Sequence, residues 1–317
     1  MNRLAIDKGE NVMSVLSAYV GVILIWSTTP LAIHLSNESF SPIASATFRM
    51  WLALLFAVFL ALILRRSGFA LRQNWKVYVA ASVGIFPNMP LVYWAANFIP
   101  SGLISVLFGL SPLVTGLAAR YILDERNFTF RKLFALIVAF GGLLFIFFEQ
   151  IGLGDKGVFG VALMIVSTVL FSVSSVYVKH FGEHLRIDPL HQTTGALLFA
   201  TPGLSLCWFL LDGKVPVNPS PVSVGAVLYL AVVGSVLGFG AYFYILKRLS
   251  VGAVSLIPLV TPGLALILGN LVVDESITRS TIIGTLLIVS GLAIYDASVL
   301  AFVLKKCNLL YRAIRTL

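Results

Sequence analysis

Arg49 is a cation in the middle of an apolar run, with no acid near it in sequence. A guanidinium in hydrocarbon costs several kcal/mol unless it is paired or wetted, so such residues usually have a job. It can hold a carboxylate on a solute or pin its helix to backbone carbonyls. Alternatively, it can snorkel to the interface near Pro42, about two helical turns away. Around it the chain offers groups that could orient a solute. Aromatic side chains at Trp26, Tyr93, Phe108, Tyr177 and Tyr242 would make an amphipathic pocket, or else sit in the interfacial belts. Hydroxyls at Thr29, Ser111, Ser175 and Thr261, with the amide of Asn88, can hydrogen-bond a polar solute. Small hydroxyl residues also let helices pack closely.

Pro30, Pro112 and Pro262 each free a backbone carbonyl inside an apolar run, which makes them hinge candidates or static bends. Asn88 lies between Pro87 and Pro90 and is placed to cap groups freed there. Glu125 and Glu275 each close an apolar run just before the next one begins. Acids at that position meet the positive ends of helices, so both read as structural locks or gate latches. No acid lies deep in the first nine apolar runs, and Asp296 is confined to the tenth. Paired aspartates, a Ser/His pair and HExxH are all missing, which argues against an intramembrane enzyme. His180 and His184 have metal-ligand spacing, but with Glu183 and Arg186 beside them they read as a solvated loop.

The elements that position these residues follow from composition. Of 317 residues 59% are hydrophobic and 11% charged, and the mean hydropathy is +0.98. Such a chain belongs in a bilayer. The net charge of +9 is not a nucleic-acid signature, because the cations sit in short loops beside apolar runs. Ten runs are long enough to span as helices: 14–35, 42–64, 75–98, 101–123, 131–149, 157–180, 189–211, 222–246, 251–273 and 280–303. Eighteen Lys and Arg fall on one side, from Arg3 to Arg315. Only Lys156, Lys214 and Arg279 fall on the other. The expectation is that both termini are cytoplasmic, with a tail over 1–13 and a basic tail over 304–317.

The chain also repeats itself. Laying 101–145 on 251–295 without a gap gives seven identities in 45 positions, including Pro112 on Pro262, Asp124-Glu125 on Asp274-Glu275 and Gly141 on Gly291. These residues set kinks and helix ends, so the repeat copies architecture. Five spans is an odd number, so the halves 14–149 and 157–303 must be inverted relative to each other. The expected fold is all-α integral membrane: ten transmembrane helices in two inverted five-helix repeats, as in secondary transporters.

With Trp26-Ser27-Thr28-Thr29-Pro30, Pro42, Phe48-Arg49, Tyr93-Trp94-Ala95, Ser105, Pro112 and Glu125 in one half, and Tyr242-Phe243-Tyr244, Ser255, Pro262, Glu275 and Gly284 in the other, the chain resembles the drug/metabolite transporter superfamily. Within it, the chain resembles the ten-span EamA-type transporters. The resemblance covers about residues 14–303. It implies alternating access and a central cavity lined by spans 1, 3, 4, 6, 8 and 9, with spans 5 and 10 as peripheral supports. The second half has no arginine matching Arg49.

Substrate class follows by elimination. Phosphorylated solutes want several cavity cations, and Lys179 is the only candidate besides Arg49. Organic cations lack a counter-ion. A small neutral or zwitterionic metabolite such as an amino acid remains, and the resemblance favours its export. A lipid or lipid-linked-sugar flippase is the alternative. No cofactor motif is present. Coupling to a proton or counter-substrate stays open, as does oligomeric state.

Overall fold

The computed structural model describes residues 12–65, 69–123, 130–152, 155–254 and 257–295. Both tails, Glu125 with Asp124, Ser255 and Asp296 lie outside them. All regular structure among the described residues is helical.

Ten helical passages are present among the described residues, several of them divided. The first two are α1 (Val12–Asn37) and α2 (Pro42–Ile63). The third is split into α3 (Leu71–Val83) and α4 (Asn88–Ala95), and the fourth into α5 (Ser101–Phe108) and α6 (Ser111–Ile122). Next come α7 (Phe130–Gly152), α8 (Asp155–Gly182) and α9 (Pro189–Leu211). The eighth joins α10 (Pro221–Tyr229) through a π-helical stretch, Leu230–Leu237, to α11 (Gly238–Arg248). The ninth comprises α12 (Val251–Val254) and α13 (Ile257–Val273), and α14 (Arg279–Tyr295) is the tenth.

Local chemistry explains where these helices start and break. Ser41, Asp188 and Ser220 each cap a helix whose first residue is proline, their side chains accepting from Ala44, Leu190 and Ser223 backbone N–H groups. A proline loses nothing there, because that N–H has no helical partner. The break before α4 falls at Gly84–Pro87, where the Asn88 amide donates to the Gly84 carbonyl at 2.9 Å. Pro112 does not kink a continuous helix. It sits in the first turn of α6, after the chain has left the helix at Gly109–Leu110. Pro30 and Pro262 do lie within helices.

The pairing of helices obeys the inversion. α1 packs on α13 as α8 packs on α6. α3 packs on α9 as α2 packs on the π stretch, and α3 on α8 as α1 on α11. Exchanging the halves turns each contact into its partner. α7 and α14 pair chiefly with each other. They approach closely enough that a Cβ on Gly142 would stand 2.6 Å from the Gly284 carbonyl oxygen, and one on Gly291 2.7 Å from that of Ala135. Gly141, the sequence match of Gly291, has open space beside it. The close-approach glycine of α7 is therefore one residue on, at the phase that faces α14. Outward-facing positions such as Leu55, Phe59 and Leu62 on α2 are exposed, as a lipid-facing surface requires.

Candidate functional site

A cavity lies where the two halves meet, with about 640 Å³ of empty space, part of it open to the exterior. Its wall is almost wholly apolar, and Arg49 supplies its one ionisable group. α2 brings Arg49 into the bundle at 1% exposure, so the side chain turns inward and does not snorkel. Its Nε donates to Ser235 Oγ at 2.9 Å, and its Nη1 donates to the Tyr93 hydroxyl at 3.2 Å. The guanidinium carbon stands 6.0 Å from the Tyr93 ring centre. Both partners are neutral hydroxyls, so the positive charge is held in place without being cancelled. No hydrogen bond among the described residues engages Nη2. Room for it comes from Gly234 in the π stretch, where a Cβ would lie 3.2 Å from that nitrogen.

The remaining polar groups on the wall are hydroxyls and the indole of Trp26. Thr29 already donates to the Ile25 carbonyl at 2.9 Å, leaving its oxygen as an acceptor. Ser105 and Thr261, at 2% and 4% exposure, face the cavity from α5 and α13. Neither hydroxyl has a hydrogen bond among the described residues. Hydroxyls held in a dry wall without a partner carry an unmet demand that a polar solute can satisfy.

One end of the cavity is closed by rings. Trp26 meets Tyr242 at 5.1 Å and Phe171 at 5.6 Å between centroids, Phe171 meets Tyr242 at 5.5 Å, and Phe108 meets Phe171 at 6.1 Å. Tyr242 is fixed from behind by Ser175, 2.5 Å from its hydroxyl. Below this cluster, towards the end of the bundle rich in Lys and Arg, Ser14 reaches Tyr244 at 3.0 Å and Tyr19 donates to the Ala253 carbonyl at 2.9 Å. Lys179 donates to the carbonyls of Leu246 and Leu249 at 2.9 and 3.0 Å. That use of its charge, as a cap on the last turn of α11, leaves Lys179 as a helix cap outside the central cavity.

In the other direction Ile33, Val92 and Ile104 continue the wall. At that end Asn37 donates to the Tyr93 carbonyl at 2.8 Å. Glu275 accepts from the Ser101 backbone and hydroxyl at 2.8 and 2.9 Å and from the Gly102 backbone at 3.3 Å. Glu275 thus caps the N-terminus of α5, while Glu125 lies outside the described residues.

Of the residues picked out from sequence, Trp26, Thr29, Pro30, Arg49, Phe108 and Thr261 line the cavity. Tyr93 stands behind Arg49, Tyr242 belongs to the ring cluster, and Ser175 stands behind it. Asn88 is fully buried away from the cavity, donating to Gly84 and accepting from Ser167 at 2.6 Å. Ser111 is buried with its hydroxyl unpartnered. Tyr177 is on the outer surface, stacked on Phe181, in a groove with Trp75 and Lys76. Ser235, Gly234, Phe239, Met89 and Ile33 complete the site, and nothing in their sequence context singled them out.

Comparison with known proteins agrees with this architecture. Residues 13–148 and 158–295 each match the EamA-like transporter family. An uncharacterized transporter of Bacillus subtilis, YoaV, is 24% identical over 283 residues, covering 88% of this chain and 96% of its own. An uncharacterized transporter of Archaeoglobus fulgidus is 27% identical over 279 residues, covering 86% and 95%. One solved crystal structure superposes with a TM-score of 0.69 at 21% identity, over 90% of this chain and 98% of that one, which speaks for the fold alone.

Proposed function

The chain belongs to the EamA-like transporter family, and on that premise we propose that it is a secondary transporter of a small neutral or zwitterionic metabolite, an amino acid being the simplest example. Transport runs by alternating access, as export or facilitated diffusion across the plasma or inner membrane. The observation that carries this reading is Arg49: a buried guanidinium, held by two neutral hydroxyls, with its outer nitrogen bare beside an apolar cavity. A carboxylate is its natural complement, because a carboxylate accepts two or more hydrogen bonds and cancels the charge. Ser105 and Thr261 are placed to donate a further bond, and the apolar body of the solute lies against Trp26, Phe108 and Phe171. The ring cluster and the links beneath it form the closed gate on the basic end. By the distribution of Lys and Arg that end is cytoplasmic, so this is an outward-leaning state.

Opening the cytoplasmic end requires the ring cluster to part and Lys179 to release α11, while the cap that Glu275 already forms on α5 holds the opposite end together. The divided third, fourth and eighth passages supply the bends about which the halves rock. The test is reconstitution into liposomes loaded with mixed amino acids and nucleosides, with the released solutes identified by mass spectrometry. Selective release of a carboxylate-bearing solute is expected. Release of nothing, together with labelled lipids crossing between leaflets, would overturn the proposal and promote a flippase.

A further inference from the structure

We infer that the cavity reads its solute by carboxylate and apolar body only and leaves the amino group unread, so that among carboxylate-bearing solutes it prefers apolar monocarboxylate anions over the zwitterionic amino acids of the broader proposal. The inference rests on Arg49 being the carboxylate anchor. Of the wall's polar side-chain groups, the bare Nη2 of Arg49 and the indole N–H of Trp26 only donate, and the unpartnered hydroxyls of Ser105 and Thr261 can donate. A carboxylate only accepts, so donors and acceptors match. An ammonium only donates, and it wants anionic or carbonyl oxygen around it. The wall holds no carboxylate, and the sequence has none deep in the first nine spans. The one hydroxyl left purely as an acceptor is Thr29, whose proton is on Ile25.

Three energies decide the ranking. Taking an ammonium out of water without a partner forfeits its hydration with nothing in return. In an amino acid that ammonium is attached next to the carboxylate, so docking the carboxylate on Arg49 brings two positive charges together in a medium of low dielectric. Against this, the faces of Trp26, Phe108 and Phe171 offer cation–π attraction, which is the weaker effect and does not offset the other two. The same carboxylate without its amine keeps the Arg49 pairing and the ring contacts and carries neither penalty. The amine without its carboxylate keeps only the rings.

The experiment uses the full-length protein in detergent and three probes with one apolar body: hydrocinnamate, phenylalanine and phenethylamine. Dissociation constants are measured by equilibrium dialysis. A second set, isocaproate, leucine and isoamylamine, guards against misfit of a single body. The expected order is deaminated acid tighter than amino acid by about tenfold or more, with the amine not binding, and with Arg49→Met abolishing the preference. An amino acid that binds as tightly as its deaminated acid, or more tightly, overturns the inference and leaves Arg49 as a carboxylate anchor. Failure of every carboxylate to bind folded wild-type protein overturns both together.

Discussion

Replacing Arg49 by methionine separates a residue kept for binding from one kept for the fold. In the protein without solute, the change removes two hydrogen bonds, to Ser235 and Tyr93. Each is a bond from a charged donor to a neutral hydroxyl, with a net contribution of about 1.5–3 kcal/mol. It also removes a buried charge that no anion compensates, and exchanging buried ionic groups for apolar ones of similar volume is often neutral or stabilising by about 1–4 kcal/mol. The opposing contributions cancel in part and leave about 2 kcal/mol of destabilisation, so the melting temperature in detergent should fall by only a few degrees. Affinity has no such cancellation. A carboxylate docked on Nη2 loses a charge-assisted pair worth about 3 kcal/mol, which is roughly 150-fold in dissociation constant. Carboxylate binding by equilibrium dialysis, run beside a melting curve on the same preparation, reads both quantities. Binding within a few-fold of wild type would refute the assignment. A variant that fails to fold would show instead that Arg49 is an anchor between α2, α4 and the π stretch.

Three other perturbations test the frame around the site. Glu275→Gln removes the charge that caps α5 through Ser101 and Gly102, and should lower stability by about 1–2 kcal/mol, read as a lower melting temperature. Asn88→Ala leaves the Gly84 carbonyl and the Ser167 hydroxyl without their partner in the core. It should cost about 1–3 kcal/mol of stability while substrate affinity is unchanged. With both native cysteines replaced by serine, cysteines introduced at Lys156 and Lys214 should react with a membrane-impermeant maleimide in intact cells. One introduced at Arg72 should not, and the reverse pattern would invert the topology.

Much of the frame was legible because it depends on signals that survive in an apolar background. Serine or aspartate followed by proline started α2, α9 and α10, and the prolines around Asn88 announced the break between α3 and α4. Arg49 declared itself by rarity. Cavity walls did not, because an apolar side chain facing the site, such as Met89 or Ile33, has the same chemistry as one facing lipid, such as Leu55. Helix phase was the second blind spot. Ser175 and Tyr177 are two residues apart on α8, about 200° around the helix, so one reaches Tyr242 inside while the other faces outward. The same arithmetic puts Gly142 against α14, while Gly141, the repeat match of Gly291, has open space beside it. Ser235 was one serine among many, and its meaning came only from the π stretch that turns it towards Arg49.

That one half of the bundle carries an arginine and the other does not also makes the carrier electrically lopsided. An empty cavity holds a positive charge that no acid on its wall neutralises, and the monocarboxylate inferred above would render the loaded form neutral. Each unit charge crossing the whole of an inside-negative field of 100 mV changes its energy by about 2.3 kcal/mol, roughly fifty-fold in an equilibrium. The field draws the empty, cationic form inward and leaves the loaded, neutral form indifferent. If the monocarboxylate inferred above is the solute, a full export cycle carries one negative charge out of the cell, and the membrane voltage alone would drive its efflux without a proton or sodium gradient.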